Sequence, residues 1–387
     1  MKKIILCYLI VCTSYQAILA KSYKVNSEKE FKTVIPQLLA GDEVIIANGN
    51  YNNWAIEIAS KGTKAKTILV RAQESGKVVF SGDMDQILFK LTGDYIILSG
   101  ITFKHCILLK NGGLIELKGS QSCQITNCQF LENTVKTQFT PLVIVSGSGA
   151  NNKIDKCTFT ANVDNQDLQV KITKETCPQN TLIEQNIFTN KQKVSWKNGN
   201  GGECVQIGQD PVLLGLQAAK SIVRDNRFIN CNGESEVISN KSSGNSYLKN
   251  YFENNDGELV MRGGHDCIID GNIFNGGTGG IRVNGTGHTI TNNKISNIKT
   301  AIRLMYGMAK GKQEIGFYIA ASNCIINNNQ ISNATTGILV GDSKDADWKG
   351  KFDTIRYPSP VIQSIAPFDN KISGNTFSDT KTEQVNQ

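Results

Sequence analysis

Residues 247–295 read YLKNYFENNDGELVMRGGHDCIIDGNIFNGGTGGIRVNGTGHTITNNKI, and one six-residue phrase occurs in them three times. YLKNYF, IDGNIF and ITNNKI each put a large apolar residue first, asparagine fourth and a large apolar residue sixth. Their last residues, Phe252, Phe274 and Ile295, lie 22 and 21 residues apart. Working outward, the same phrase ends at Phe130, Phe159, Phe188 and Phe228 on one side and at Ile331 and Phe377 on the other. The residue five before each anchor is Ile125, Ile154, Ile183, Val223, Tyr247, Ile269, Ile290, Ile326 or Ile372, so all but Tyr247 are aliphatic. The residue two before is Cys128, Cys157, and then Asn186, Asn226, Asn250, Asn272, Asn293, Asn329 and Asn375 in succession. This column explains why the chain holds 39 Asn, more than its 36 Gly, a bias that ordinary globular composition does not show.

A period of 21 to 24 residues is one coil of a parallel β-helix. The longer intervals, 29, 29, 40, 36 and 46 residues, then carry loops inserted at a corner of the coil. A leucine-rich repeat has a similar period, but its Leu-rich strand consensus and helical segments are missing. In the β-helix, strands one coil apart sit about 4.8 Å from each other, so identical amides can hydrogen-bond along the stack while tolerating a left-handed bend at a turn. The sequence therefore predicts an all-β chain, a parallel β-helix. Residues 26–40 (NSEKEFKTVIPQLLA) read as an amphipathic helix begun by Asn26 or Ser27, with Phe31, Val34, Ile35, Leu38 and Leu39 on one side. Such a helix would cap the open end of the solenoid, which otherwise exposes strand edges.

The chain of 387 residues is 40% hydrophobic and only 19% charged, which excludes intrinsic disorder. Residues 1–20 begin with Lys2 and Lys3, run through IILCYLIVC and end in Ala17-Ile18-Leu19-Ala20, the layout of a secretory signal cleaved after Ala20. A lipid anchor at Cys12 is the weaker alternative, because Val11 is larger than the small residue usual before such a cysteine. No later stretch reaches the roughly 18 apolar residues of a membrane span. Residues 21–387 are thus expected to be a single exported domain, secreted or periplasmic. Removing the signal lowers the net charge from +7 to +5, which suits a polyanionic partner. Nucleic acid is a poor fit, since no basic, aromatic-interleaved module is present. Nine cysteines remain (106, 123, 128, 157, 177, 204, 231, 267 and 324), at spacings that match no zinc signature. Their expected role is as small buried fillers, with a Cys128–Cys157 bond as the alternative.

Four basic residues obey the coil spacing: Lys241, Arg262, Arg282 and Arg303 are 21, 20 and 21 residues apart. Like charges stacked along one flank repel unless an anion pairs with them, and a long acidic polymer would supply it. Nearby, NGNGGE (198–203) is followed one coil later by Glu234-Ser-Glu236, two carboxylates on one face of a strand. Glu-x-Glu alone is common and usually solvated. With an amide oxygen of Asn200 it makes a hard, all-oxygen site of the sort calcium accepts. These groups suit β-elimination from a polyuronate. A calcium on Asn200, Glu234 and Glu236 would offset the substrate carboxylate and acidify the C-5 proton. Lys241, kept neutral by its cationic neighbours, would be the base, and Arg262 would stabilise or protonate the leaving oxygen. Arg282 and Arg303 would hold flanking carboxylates bidentately.

The segments NGNGGE, ESEVISNKSS, GELVMRGG and GTGGIRVNGTGHTITNN resemble the motifs of polysaccharide lyase family six, the alginate lyases and chondroitinase B. The resemblance is strongest over about 195–305 and extends more weakly over roughly 25–380. It implies a right-handed parallel β-helix and calcium-assisted elimination, with Lys241 as base, Arg262 as acid, and Glu234, Glu236 and an Asn of the NGNGGE loop as calcium ligands. Asn200 is preferred to Asn198. Members often have a histidine directly after the arginine, whereas here Gly263 and Gly264 come before His265. The candidate substrate contacts are Arg282, Arg303, His265 and Tyr306. Tyr306 and Trp196 are placed either to stack on sugar rings or to pack, while His105 and His288 read as structural. The expected partner is an acidic polysaccharide. Alginate leads, dermatan sulfate is the runner-up, and a non-catalytic glycan-binding β-helix is the alternative outside enzymology. A β-helix glycoside hydrolase would instead bring Asp residues together on consecutive coils.

Overall fold

The computed structural model describes residues 20–387. The expected signal, apart from Ala20, lies outside the described residues. From Ser22 to Asn386 the chain winds as a parallel β-helix whose coils each contribute strands to three rows. The first row is a 13-stranded sheet running from Ser22–Val25 to Lys371–Ser373, and the other two rows share a 23-stranded network. The first row pairs Ile125 with Ile154, Ile183, Val223, Tyr247, Ile269, Ile290, Ile326 and Ile372 in turn. The second row does the same for the anchors from Phe130 to Phe377. Both columns are thus in the register that the spacing predicts.

The reason lies in the interior. The rings from Phe103 to Phe274 stack with centroids 4.4–5.0 Å apart and planes within 12° of each other, which is the strand spacing itself. Beside them runs the asparagine ladder. Each Nδ2 donates to the next Oδ1 at 2.9–3.0 Å, from Asn186 to Asn375. Each Oδ1 also accepts the backbone N–H of the preceding Asn, so a buried turn is left with no orphaned amide. The bend itself belongs elsewhere than expected. The left-handed residue is the one before each ladder position (Gln185, Asp225, Lys249, Gly271, Asn292, Asn328, Gly374), while the ladder asparagines keep ordinary backbone. Cys128 and Cys157 fill the same position in earlier coils. All nine cysteines of the described residues are free, and all but Cys177 are buried, so they act as fillers rather than as a Cys128–Cys157 bond.

Two differences appear toward the N-terminus. Coils begin at residue 22, well before the first recurrence of the phrase at Phe130, because Val25, Val44 or Val70 and their neighbours stack without the Asn signature. The helix is shorter than predicted: Glu28–Val34, capped by the Ser27 hydroxyl, then a 3₁₀ turn at Ile35–Gln37, where Pro36 lacks the N–H to continue. Its buried Phe31 packs edge-on against Trp54 and Phe89, closing the first coils as expected, whereas Leu39 is exposed.

The long intervals near the C-terminus form a second structure on the third row. Met308, Phe317 and Tyr318 from one inserted loop pack with Trp348, Phe352 and Tyr357 from the other and with Val212 of the short helix Pro211–Leu214. This aromatic cluster stands beside the strands that carry the candidate site.

Candidate active site

Strands Val205–Ile207, Glu236–Lys241 and Glu258–Gly263 lie side by side in the third row. The pairing slips between Asn240 and Lys241, so that Lys241 faces Gly263 and Arg262 bulges out between them. A bulge re-aims side chains, and here it aims Lys241 and Arg262 into one cavity of about 340 Å³. Gln169, Gln206, Glu203 and Glu234 also line it, with Phe139 at one side and Phe317 and Tyr357 at the other.

The carboxylates of Glu203, Glu234 and Glu236 each bring an oxygen within 4.8 Å of the others, and all three residues are buried. Sequence reasoning quoted Glu203 at the end of NGNGGE but gave it no role. Its signal was available, since it lies one coil before Glu236. Glu234 Oε2 accepts the N–H groups of Gly201 and, at 3.1 Å, Gly202. The two glycines make this approach feasible: Gly201 has φ +91°, and a Cβ on Gly202 would come within 2.6 Å of Gly233. Glu203 accepts from Gln166 at 2.9 Å and from Gln206 at 2.6 Å. Glu236 Oε1 accepts from Arg262 at 3.3 Å and Arg282 at 3.4 Å, while its Oε2 is buried with no partner. Burial and the two neighbouring glutamates push the Glu234 carboxyl well above the ordinary range. Burial opposes the charge of Glu236 as well, but Arg262, Arg282 and Lys241 outweigh it and hold its pKa at about 2. Three buried carboxylates converging with one unpartnered oxygen are costly without a cation and fit a hard one. Asn200 lines the same cavity. Asn198 does not line it; its Oδ1 accepts from Gln138 at 2.6 Å and from Asn200 N at 3.2 Å.

Lys241 Nζ lies 3.8 Å from Glu203 Oε1. Burial first, and then the charge of Arg262, lower its pKa below the lysine norm, although the three glutamates pull the other way. Arg262 behaves oppositely. Burial works against its charge, but Tyr318 and the glutamates hold its pKa above the arginine norm, so it stays protonated.

Other candidates are placed differently. The four cations do not form one straight column: Arg282 faces Val260 rather than Arg262, and only Arg282 and Arg303 pair directly. Arg282 sits beneath Tyr318, 6.0 Å from its ring, with its guanidinium turned to Glu236. Arg303 lies in a separate groove, ion-paired with Glu258 and with Asp342 at 2.6 Å. These two arginines find their anions inside the protein, which removes the argument that repulsion demands a substrate. Tyr306 is buried, its hydroxyl donating to the Gln387 carbonyl at 3.2 Å. His265 is buried in a turn and its Nδ1 accepts from Thr286 N at 3.2 Å, because the two glycines before it carry it past the cleft. His288 is likewise structural, accepting from Cys267 N at 3.1 Å. His105 instead lies exposed, 3.2 Å from Glu132. Trp196 packs, donating to Asp164 O at 2.9 Å. Arg356, which sequence reasoning missed, lines the cavity from an inserted loop that shows no periodicity to mark it.

Among known proteins, the chondroitinase B family model matches residues 25–386. A mannuronic acid specific polysaccharide family 6 lyase from human gut microbiota superposes with a TM-score of 0.78 at 26% identity, over 94% of this chain and 82% of that one. The PL6 family alginate lyase AlyGC gives 0.78 at 24%, over 94% of this chain and 53% of its own. The PL6 family polysaccharide lyase Pedsa3628 from Pseudopedobacter saltans gives 0.71 at 23%, over 93% and 85%. At their identities the last two speak to the fold alone. No curated protein matches.

Proposed function

Since the chain belongs to the chondroitinase B family, the family-six polysaccharide lyases, we propose that it cleaves alginate by calcium-assisted β-elimination in the cavity around Lys241. The observation that carries this reading is the meeting of three buried carboxylates, a lysine of lowered pKa and a protonated arginine at one bulge. Glu203, Glu234 and Glu236 would hold the calcium, with Asn200 at their side. Bound there, calcium offsets the charge of the substrate carboxylate and so acidifies the proton at C-5.

The remaining work falls to the chain. Lys241, as the neutral amine, takes the C-5 proton; the C–H electron pair becomes the C-4/C-5 double bond and the C-4 to oxygen bond breaks. Arg262 donates hydrogen bonds to the departing oxygen, and water supplies that oxygen's proton, because a guanidinium of raised pKa gives up its own reluctantly. Arg282 positions Glu236, and Gln166 and Gln206 position Glu203. Gln169 adds a neutral amide to the lining; such a group suits the hydroxyls of an unsulfated uronate. The relative at 26% identity, itself mannuronic acid specific, supports the same choice. Dermatan sulfate is the second reading, favoured by the family model. We further propose that residues 1–20 direct export, to the medium or the periplasm, and that residues 21–387 act as one catalytic domain.

Poly-mannuronate, poly-guluronate and dermatan sulfate, incubated separately with the protein, test this through the ultraviolet absorbance of the new double bond. A rise on either alginate block is expected. A rise on dermatan sulfate alone would overturn the substrate, and saturated products would overturn the elimination.

A further inference from the structure

We infer that the cleft is blind at the aromatic cluster, so that the enzyme works from polysaccharide chain ends; this rests on the lyase reading above. One outward-facing column of the third row runs through Ile144, Gln169, Gln206, Ser239, Val260 and Arg282. Ile144 is partly exposed and the two glutamines line the cavity, but Ser239 and Val260 are 0% exposed. A residue that faces outward from a solenoid is covered only where something lies on it. Over Arg262 and Arg282 the cover is the aromatic cluster of the two inserted loops, with Tyr318 6.0 Å from the Arg282 guanidinium. Phe317 and Tyr318 stand 5.3 and 5.7 Å from the Arg262 guanidinium.

The cover is built in, not draped. Phe317 stacks on Phe352 at 4.3 Å with planes 6° apart, and its N–H donates to Ser359 Oγ at 2.7 Å. Trp348 Nε1 donates to Gln363 Oε1 at 2.7 Å, and Gly307 and Ile365 bridge the loop bases. A polymer laid along the column from Ile144 therefore meets a wall just beyond Lys241 and Arg262. The wall also carries a recognition group. Arg356 faces the cavity with its side chain 59% exposed, resting over Tyr357 at 5.1 Å, and its contact with Asp210 is a long 3.9 Å. A cation so loosely engaged at a blind end suits the carboxylate of a terminal uronate.

The test follows alginate by ultraviolet absorbance and viscosity together, with product sizes taken from the first turnovers. The proposal expects one short product of constant size while viscosity persists. It also expects Arg356→Ala to raise KM for oligosaccharides roughly tenfold with kcat retained, the loss of one charged hydrogen bond. Phe352→Ala, which removes the ring behind Phe317 without altering the cavity lining, should shift products toward longer oligosaccharides. An absorbance rise with early viscosity loss and mixed products would overturn chain-end action and leave the lyase intact. No absorbance on any uronate polymer would overturn the lyase reading itself, and this inference with it.

Discussion

Lys241 and the three glutamates are individually unfavourable: each is a charged group taken out of water, and each is tolerable only because of the others. That mutual dependence sets the predictions at this scale. Lys241→Ala is expected to lower kcat by about 10²–10⁴ and, because it takes a buried partner from Glu203, to shift the unfolding midpoint while the protein still folds, checked by initial rates and thermal denaturation. With Lys241 as the proposed base, active as the neutral amine, and its pKa lowered from 10.5, the rate should rise with pH along a limb whose midpoint lies below 10.5. A pH profile reads that limb, and a rate that falls over the same range would count against the base. Glu203→Gln is expected to raise the calcium concentration needed for half-maximal rate by roughly 10–100-fold. Asn198→Ala should raise it less, since that amide meets Gln138 and the Asn200 backbone rather than the cavity. The grouping of Lys241 and Arg262 with Glu234 and Glu236 was legible beforehand, because the first two lie about one coil apart and the two glutamates stand two residues apart in a segment that resembles the family's motifs. Glu203 was in view without a role, and Arg303 was misplaced for a physical reason: spacing fixes the coil on which a side chain sits, not the Glu258 and Asp342 that neutralise it there.

At the scale of the element, the coil is held by what repeats in its turns and interior. Asn250 and Asn272 each link three coils, donating to a ladder amide and to a carbonyl of the coil before. Asn250→Ala should therefore cost about 2–4 kcal/mol, one lost amide plus its orphaned partners, as measured by denaturant unfolding, whereas Asn254→Gly, at an exposed left-handed position, should be nearly neutral. The buried turn histidines give the coil a pH dependence. His265 and His288 are pushed down to about 4, chiefly by burial, from an ordinary 6.5. Between those values the unfolded chain binds protons that the folded chain does not. Stability is thus full above 6.5 and is lost as pH falls toward 4, by roughly 1.4 kcal/mol per unit for each histidine. An unfolding series over that range should show the loss, and His288→Asn should flatten it. The ladder and the ring column were readable to the residue because a stacked coil admits one register. The left-handed position was not, since Gln185, Asp225 and Lys249 share no side-chain type.

For the molecule as a whole, regular coils make the floor of the site and irregular loops make its wall. The floor follows largely from periodicity, which made the columns of the first two rows legible, but not the slip at Lys241 that turns Arg262 out of the column in the third row. The N-terminal coils were not legible either, because residues 22–94 stack valines and isoleucines without the asparagine signature. Nor was the aromatic cluster, since Phe317, Phe352 and Tyr357 meet only after two insertions fold together. The central claim is that this assembly gathers one calcium-dependent elimination centre. It is tested most directly by the initial rate of ultraviolet absorbance on poly-mannuronate, for the native protein, the chelated protein, the chelated protein with calcium restored, and Lys241→Ala. The account predicts a rise that chelation abolishes, calcium restores and the substitution removes. A rate indifferent to chelation, or retained by Lys241→Ala, would contradict it.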